Sequence, residues 1–178
     1  MLKNLYLICG KSGSGKTYVV DKLHDEYGYN ILKSYTTRPK RHQNDEDHIY
    51  VKISDYYSDK IDELIAVDTC FNNNLYWSRK QQLITSDLYV IDKTGIERIK
   101  SLSFGRKFVV IYIDCSENKR IEHMRMRGDT KKNIYERLSN DEKEFKGIEK
   151  YADFIVNGNY NEKWQTIKNI IDKCEKVS

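Results

Sequence analysis

The sequence predicts an α/β protein of the phosphate-loop, three-layer kind: a five-stranded parallel core sheet flanked by helices, with an inserted region and a short arginine-rich lid. Three observations carry this. Apolar strand-like runs alternate with helical spacing, as in a parallel sheet covered on both faces. The first run leads directly into a glycine-rich turn, Gly10 to Thr17, and two polar stretches interrupt the alternation.

Leu5–Cys9 is the first strand, apolar at every position. A helix follows from Lys16 to about Glu26, turning Val19, Val20 and Leu23 inward and stopping at Gly28. Ile31-Leu32 begins a short second strand. Leu88–Ile91 and Phe108–Ile113 are continuous apolar runs, as expected of strands buried on both faces, and Phe154–Val156 is the last strand. Helical spacing recurs in Ile121/Met124, in Ile134/Leu138/Phe145 and from Trp164 to Cys174. Cys9 closes a buried strand and Cys174 falls in step with Trp164, Ile167 and Ile171, so both are expected in the core.

The interruptions set the organisation. Residues 34–78 are polar, rich in Tyr, Asp and Asn, and weakly periodic, which reads as an insertion packed over the sheet. Residues 123–137 hold Arg125, Arg127, Gly128 and Arg137 around a polar turn and read as the lid. One domain over 1–178 is expected, its core formed by 1–33, 79–122 and 138–178.

Composition narrows the class. At 178 residues the chain can bury one substantial core, and 39% hydrophobic with 33% charged residues is ordinary for a globular protein. A net charge of +4 suits an acidic small molecule and is too dispersed for a nucleic-acid face. No run is long enough to span a membrane, and the first strand is too short for the core of a secretory signal. The four cysteines are far apart and contain no C-x-x-C pair, which points to a reduced, cytoplasmic setting.

Gly10-Lys11-Ser12-Gly13-Ser14-Gly15-Lys16-Thr17 matches G-x-x-x-x-G-K-[ST] between a strand and a helix. Its glycines let successive N–H groups converge on phosphate oxygens, and the helix dipole adds positive potential. Lys16 can reach the outer phosphates of a nucleoside triphosphate, and the Thr17 hydroxyl can ligate the accompanying Mg²⁺. Ligands of open parallel sheets bind beyond the strands' carboxyl ends, so residues just after strands carry weight. Ser34-Tyr35-Thr36-Thr37-Arg38 with Arg41 follows the second strand, and its guanidinium forks suit a second anion. Asp92 ends another strand and either holds a metal-bound water or the acceptor, or caps the helix beginning near Thr94. Arg120, Arg125, Arg127 and Arg137 form a third basic group; Arg120 and Arg127, seven apart, would share a helix face. This group either closes over a transferring phosphoryl group or is a solvated helix paired with Glu117, Glu122 and Glu136.

These stretches, in this order, resemble the guanylate kinases, which move the ATP γ-phosphoryl group onto GMP. Asn74-Leu75-Tyr76, Asp92 with Gly95, Arg127-Gly128, Arg137-Leu138 and Tyr151–Asn157 extend the likeness over nearly the whole chain. The resemblance implies Gly10, Ser12, Gly13, Ser14, Gly15, Lys16 and Thr17 at ATP and Mg²⁺, and makes residues 34–78 the monophosphate-binding region. It implies Ser34, Arg38, Arg41 and Tyr76 at the acceptor's phosphate, Ser78 at its base, and Arg127 and Arg137 closing from the lid. Lys16, Arg38, Arg127 and Arg137 would then carry catalysis, with GMP or dGMP as acceptor and no nucleic-acid or membrane partner, in a monomer or homodimer.

Three positions and the length of the lid depart from the family. His48 stands where a tyrosine touches the acceptor phosphate; it can donate a hydrogen bond, and its charge is expected to vary near neutral pH. Val67 stands where a glutamate reads guanine, with Asp68 adjacent but offset by one strand residue. Trp77 replaces a glycine and is expected to fill space near the base, and the lid is about one residue shorter. Two other readings stay open: a phosphate-loop kinase for a different (deoxy)nucleoside monophosphate or small phosphorylated acceptor, and a non-catalytic binding module.

Overall fold

The computed structural model describes residues 2–41, 43–71, 73–102 and 104–177. In chain order the first half holds β1 (Leu5–Cys9), α1 (Lys16–Tyr27), β2 (Ile31–Leu32), β3 (Tyr35–Thr36), β4 (Ile49–Tyr50), α2 (Ile53–Ile61), β5 (Ile65–Phe71) and β6 (Asn74–Arg79). The second half holds α3 (Lys80–Thr85), β7 (Leu88–Val90), α4 (Lys93–Lys100), β8 (Phe108–Ile113), α5 (Glu117–Met126), α6 (Lys131–Glu144), β9 (Phe154–Val156) and α7 (Tyr160–Val177). A single 3₁₀ turn, Ile148–Lys150, precedes β9.

The main sheet is five-stranded, in the order β2-β7-β1-β8-β9, and every pairing is parallel. This is the α/β architecture read from the sequence. β1 lies at the centre, with Leu7 in register with Tyr89 and Val110, and all five of its residues are buried. Strand alternation sends Leu5, Leu7, Cys9, Tyr89, Val110 and Tyr112 to one face, where they meet Leu83, Ile96, Ile99, Phe145 and Ile148. Tyr6, Ile8, Leu88, Val109, Ile111 and Ile113 point to the other face, covered by Val19, Val20 and Leu23 of α1 and Ile167 and Ile171 of α7. Cys9 is fully buried; Cys174 packs partly buried against the second cluster.

Parallel strands end on one side, so the loops after β1, β2, β7 and β8 converge there. These carry the phosphate loop, Ser34, Asp92 and Asp114. Residues 34–78, read as weakly periodic, form most of a second sheet in the order β4-β3-β6-β5. In it β3 pairs antiparallel with β6 and parallel with β4, and β5 and β6 form an antiparallel hairpin whose register shifts between Ile65 and Val67. The segment read as the lid is a helical hairpin. α5 runs on to Met126, a turn at Arg127–Asp129 follows, and the Thr130 hydroxyl caps α6 by accepting from the Asn133 N–H. Among the described residues no helix is long and apolar enough to cross a membrane.

Candidate active site

The phosphate loop joins β1 to α1. Gly13 and Gly15 have φ of 76° and 97°, a left-handed backbone that glycine adopts without strain. Gly13 also has no room for a side chain, since a Cβ there would sit 2.6 Å from the main-chain oxygen of Arg120. Lys16 bends back over the loop, and its Nζ donates to the carbonyls of Gly10 at 2.6 Å and Lys11 at 3.1 Å. Burial lowers the Lys16 pKa to about 8. Thr17 lines the cleft beside Lys16 and Arg41, and the Ser14 hydroxyl is buried with no hydrogen-bond partner.

Across from the loop, residues 34–50 build a basic wall on β3 and β4. Arg38 Nη2 donates to Asp45 at 3.1 Å and to the Tyr50 hydroxyl at 2.8 Å, which fixes the fork. Its Nε is buried without a partner, an orphan donor of the kind an incoming anion would satisfy. Asp45 also accepts from the Arg41 N–H at 3.0 Å; despite its burial, the Tyr50, Arg41 and Arg38 donors hold this carboxyl well below the usual carboxylate range. Arg41 is itself pushed down, first by burial and then by Arg38, Arg137 and Arg127, so these guanidinium groups crowd one space. Ser34 is buried and its hydroxyl lies 2.9 Å from His48 Nδ1. His48 stacks edge-on with Tyr76 at 5.3 Å. The imidazole is not poised near neutrality as expected: burial, then Arg38, lowers its pKa to about 4, so it stays neutral.

The lid arginines approach from α5 and α6. Arg127 lies 2.5 Å from Asp129, and Arg137 Nε is 3.8 Å from the same carboxylate oxygen. Arg120 is no lid residue. It is 2% exposed, whereas Arg127, the residue that caps α5, is exposed. Its guanidinium pairs with Asp141 at 2.9 Å, and Asp141 in turn accepts from the Ser12 N–H and hydroxyl at 2.8 and 3.1 Å.

One cleft joins the pieces. Gly10, Ser12 and Lys16 line it together with Ser34, Arg38, Arg41, His48, Tyr76 and Arg137. Asp92 is the helix cap that one of its two readings expects. Its Oδ1 caps α4 by accepting from the Gly95 N–H at 2.6 Å, while the residue also lines the cleft, with Oδ2 3.4 Å from the Thr69 hydroxyl.

The expectation that Trp77 fills space near the base fails. Ser78 is fully buried beside Tyr89, which supplies the cleft wall there. Trp77 points to the opposite face of the second sheet, where it stacks on Tyr35 at 5.5 Å and donates to Asp59 at 2.8 Å. Strand alternation also settles Val67 and Asp68. Val67 and Thr69 face the cleft, while Asp68 turns to Arg98 and the Tyr56 hydroxyl.

A family model described as guanylate kinase matches residues 2–174. The chain belongs to the guanylate kinase family. A guanylate kinase of Hydrogenovibrio crunogenus (strain DSM 25203 / XCL-2) is 26% identical over 172 residues, covering 90% of this chain and 83% of its own. The crystal structure of guanylate kinase from Anaplasma phagocytophilum superposes with a TM-score of 0.71 at 22% identity, covering 98% of this chain and 89% of its own.

Within this guanylate kinase fold, several participants carry no motif. Asp45, Asp129, Asp141 and Glu144 were not singled out from the sequence. For the last two a signal exists, since Arg137, Asp141 and Glu144 recur at helical spacing and all line the cleft from α6. Asp45 and Asp129 have only nearness in sequence to the arginines they hold.

Proposed function

We propose that this member of the guanylate kinase family transfers the γ-phosphoryl group of MgATP to GMP or dGMP, giving the diphosphate. The observation that carries the reading is one cleft lined by Gly10, Ser12 and Lys16 of the phosphate loop together with Arg38, Arg41 and Arg137. Two anion holders opening on one cleft are what such a transfer requires. The orphan Nε donors of Arg38 and Arg137 fit phosphate oxygens, as do the loop's converging amides. An intact Lys16 speaks against a non-catalytic module, and the family match does not favour a kinase for an unrelated acceptor.

In this reading Lys16 leaves the Gly10 and Lys11 carbonyls to meet the donor's outer phosphates. Ser34, Arg38, Arg41 and Tyr76 hold the acceptor's phosphate, with His48 as a neutral hydrogen-bonding group. Arg127 and Arg137 close from residues 123–137 over the negative charge that builds during transfer. The acceptor oxygen is already ionised, so no side chain need remove a proton. Thr17 would hold Mg²⁺, which would supply charge neutralisation at the substrate phosphates. No cluster of three or more His, Cys, Asp or Glu occurs among the described residues, which suits an ion held mainly by nucleotide. The reading places the protein in the cytoplasm, where ATP and nucleoside monophosphates meet.

ADP release measured with each nucleoside monophosphate in turn tests this. GMP and dGMP should stand well above AMP, CMP and UMP. Transfer to none of them, or a preference for a pyrimidine nucleotide, overturns it.

A further inference from the structure

Five consecutive carbonyls of the phosphate loop, Gly10 to Ser14, each lie within hydrogen-bond distance of a basic side chain. Lys16 takes the first two. Arg120 Nη1 donates to Ser12 at 3.4 Å, and His123 Nδ1 lies 2.7 Å from the Gly13 oxygen. Lys163 Nζ donates to Ser14 at 3.4 Å and to the Asp114 carbonyl at 3.0 Å. A carbonyl has no proton to give, so His123 must be the donor at Nδ1. Arg120 and Lys163 are each 2% exposed, buried cations whose recorded acceptors on the loop are main-chain oxygens.

The four side chains divide by origin. Lys16 belongs to the loop and has to release its carbonyls to touch a phosphate. Arg120, His123 and Lys163 come from α5 and α7 and have no such task. A peptide unit is planar, with its C=O and N–H on opposite sides, so fixing an oxygen outward turns the next N–H inward. Holding the Ser12 and Ser14 oxygens therefore turns the amides of Gly13 and Gly15 inward, while holding the Gly13 oxygen sets the Ser14 N–H, which donates to the Lys11 carbonyl at 3.1 Å and closes the loop's turn. A cation on the oxygen also polarises the peptide and strengthens its N–H as a donor.

We infer that Arg120, His123 and Lys163 are positioning residues for the donor's phosphates. They keep the loop's amides converged before nucleotide arrives, so that binding costs little rearrangement. The inference rests on reading the loop as the ATP site. His123 and Lys163 also border a groove lined by Cys115, Lys119 and Asn159, so an effect through the loop has to be separated from direct contact with the nucleoside.

Calorimetry of Lys163→Met and His123→Ala with two probes, MgATP and magnesium tripolyphosphate, makes that separation. Both probes should bind about tenfold more weakly to each variant, the scale of a lost charged hydrogen bond. His123→Gln, which keeps an N–H donor, should recover most of the loss. In turnover assays the KM for MgATP should rise while the acceptor KM stays within about twofold, since only the donor's holder is disturbed. Weakening confined to MgATP overturns the inference in favour of a nucleoside contact. A lowered melting temperature with both affinities unchanged overturns it in favour of a purely structural role. Should Lys163→Met fail to fold, the His123 pair decides by the same readings. A wild-type chain that binds MgATP but phosphorylates no acceptor sinks the kinase reading and leaves this inference standing; one that binds neither probe sinks both.

Discussion

Arg120 and Asp141 meet at 2.9 Å with both side chains all but sealed from solvent, and the same carboxylate holds Ser12 at the start of the phosphate loop. A core ion pair thus doubles as an anchor for the site. Removing one partner strands the other: Asp141→Ala should cost about 3–5 kcal/mol in urea unfolding. Replacing both, with Arg120→Leu and Asp141→Ala, should recover most of that, because no buried charge is left unpaired. A double variant as unstable as the single one would show that the pair is not the source of the loss.

Lys16 carries a pKa lowered to about 8 by burial, so its ammonium begins to lose its proton at mildly alkaline pH. The nucleotide needs the charged form. The KM for MgATP should therefore be flat below pH 7 and rise between pH 8 and 9, by up to about tenfold for one titrating group. Lys16→Arg keeps its charge and should show no such rise. Lys16→Met should lose at least about a hundredfold in turnover at pH 7, as electrostatic stabilisers of transferring groups do. An alkaline rise that persists in Lys16→Arg would assign the titration to another group.

Arg41 sits among Arg38, Arg127 and Arg137, and their charges together with burial push its pKa down. Without an anion this crowding is unfavourable. Arg41→Ala should raise the acceptor KM by about tenfold or more while leaving the KM for MgATP within about threefold, because a bidentate phosphate contact is lost on one side only. The variant should also melt no lower than the wild type, since like charges are relieved and the Arg41 N–H bond to Asp45 involves the main chain. Equal weakening of both substrates would contradict two separate anion holders.

What the sequence made legible follows from element length and from burial on both faces. β1 and β8 are five and six residues of unbroken apolar chain, and their bounds were readable because nothing polar survives inside a covered parallel sheet. β3 and β4 are two residues each, too short for any period to show, so the second sheet was invisible. At the site, Gly10, Ser12, Lys16, Arg38 and Arg41 line the cleft, and on β6 the alternation of the strand brings Tyr76 to it and turns Trp77 away. Ser78 and Trp77 are neighbours on β6, yet one lies behind Tyr89 and the other on the far face. Arg120 was misread for a different reason: its partner, Asp141, is twenty-one residues away, and only packing brings them together.

Glu144 lines the cleft with Val67, Thr69 and Asp92. Burial, then Asp92 and Asp141, raises its pKa to about 7. With Val67 apolar and Asp68 turned away, the proposed function would have Glu144 and Asp92, carboxylates of the cleft lining, accept the N–H donors of a guanine ring. Glu144 does so better when ionised, so the GMP KM should fall as pH rises from 6 to 8. The acceptor's own phosphate titrates near pH 6 and adds to this trend. Comparison with Glu144→Gln at each pH removes that contribution, because the variant keeps the phosphate and loses the carboxylate. The ratio of variant to wild-type KM should then climb across the interval, by up to about tenfold for one charge-assisted hydrogen bond. A ratio constant with pH would mean that Glu144 does not meet the base, and that the polar contact to it comes from Thr69 and Asp92.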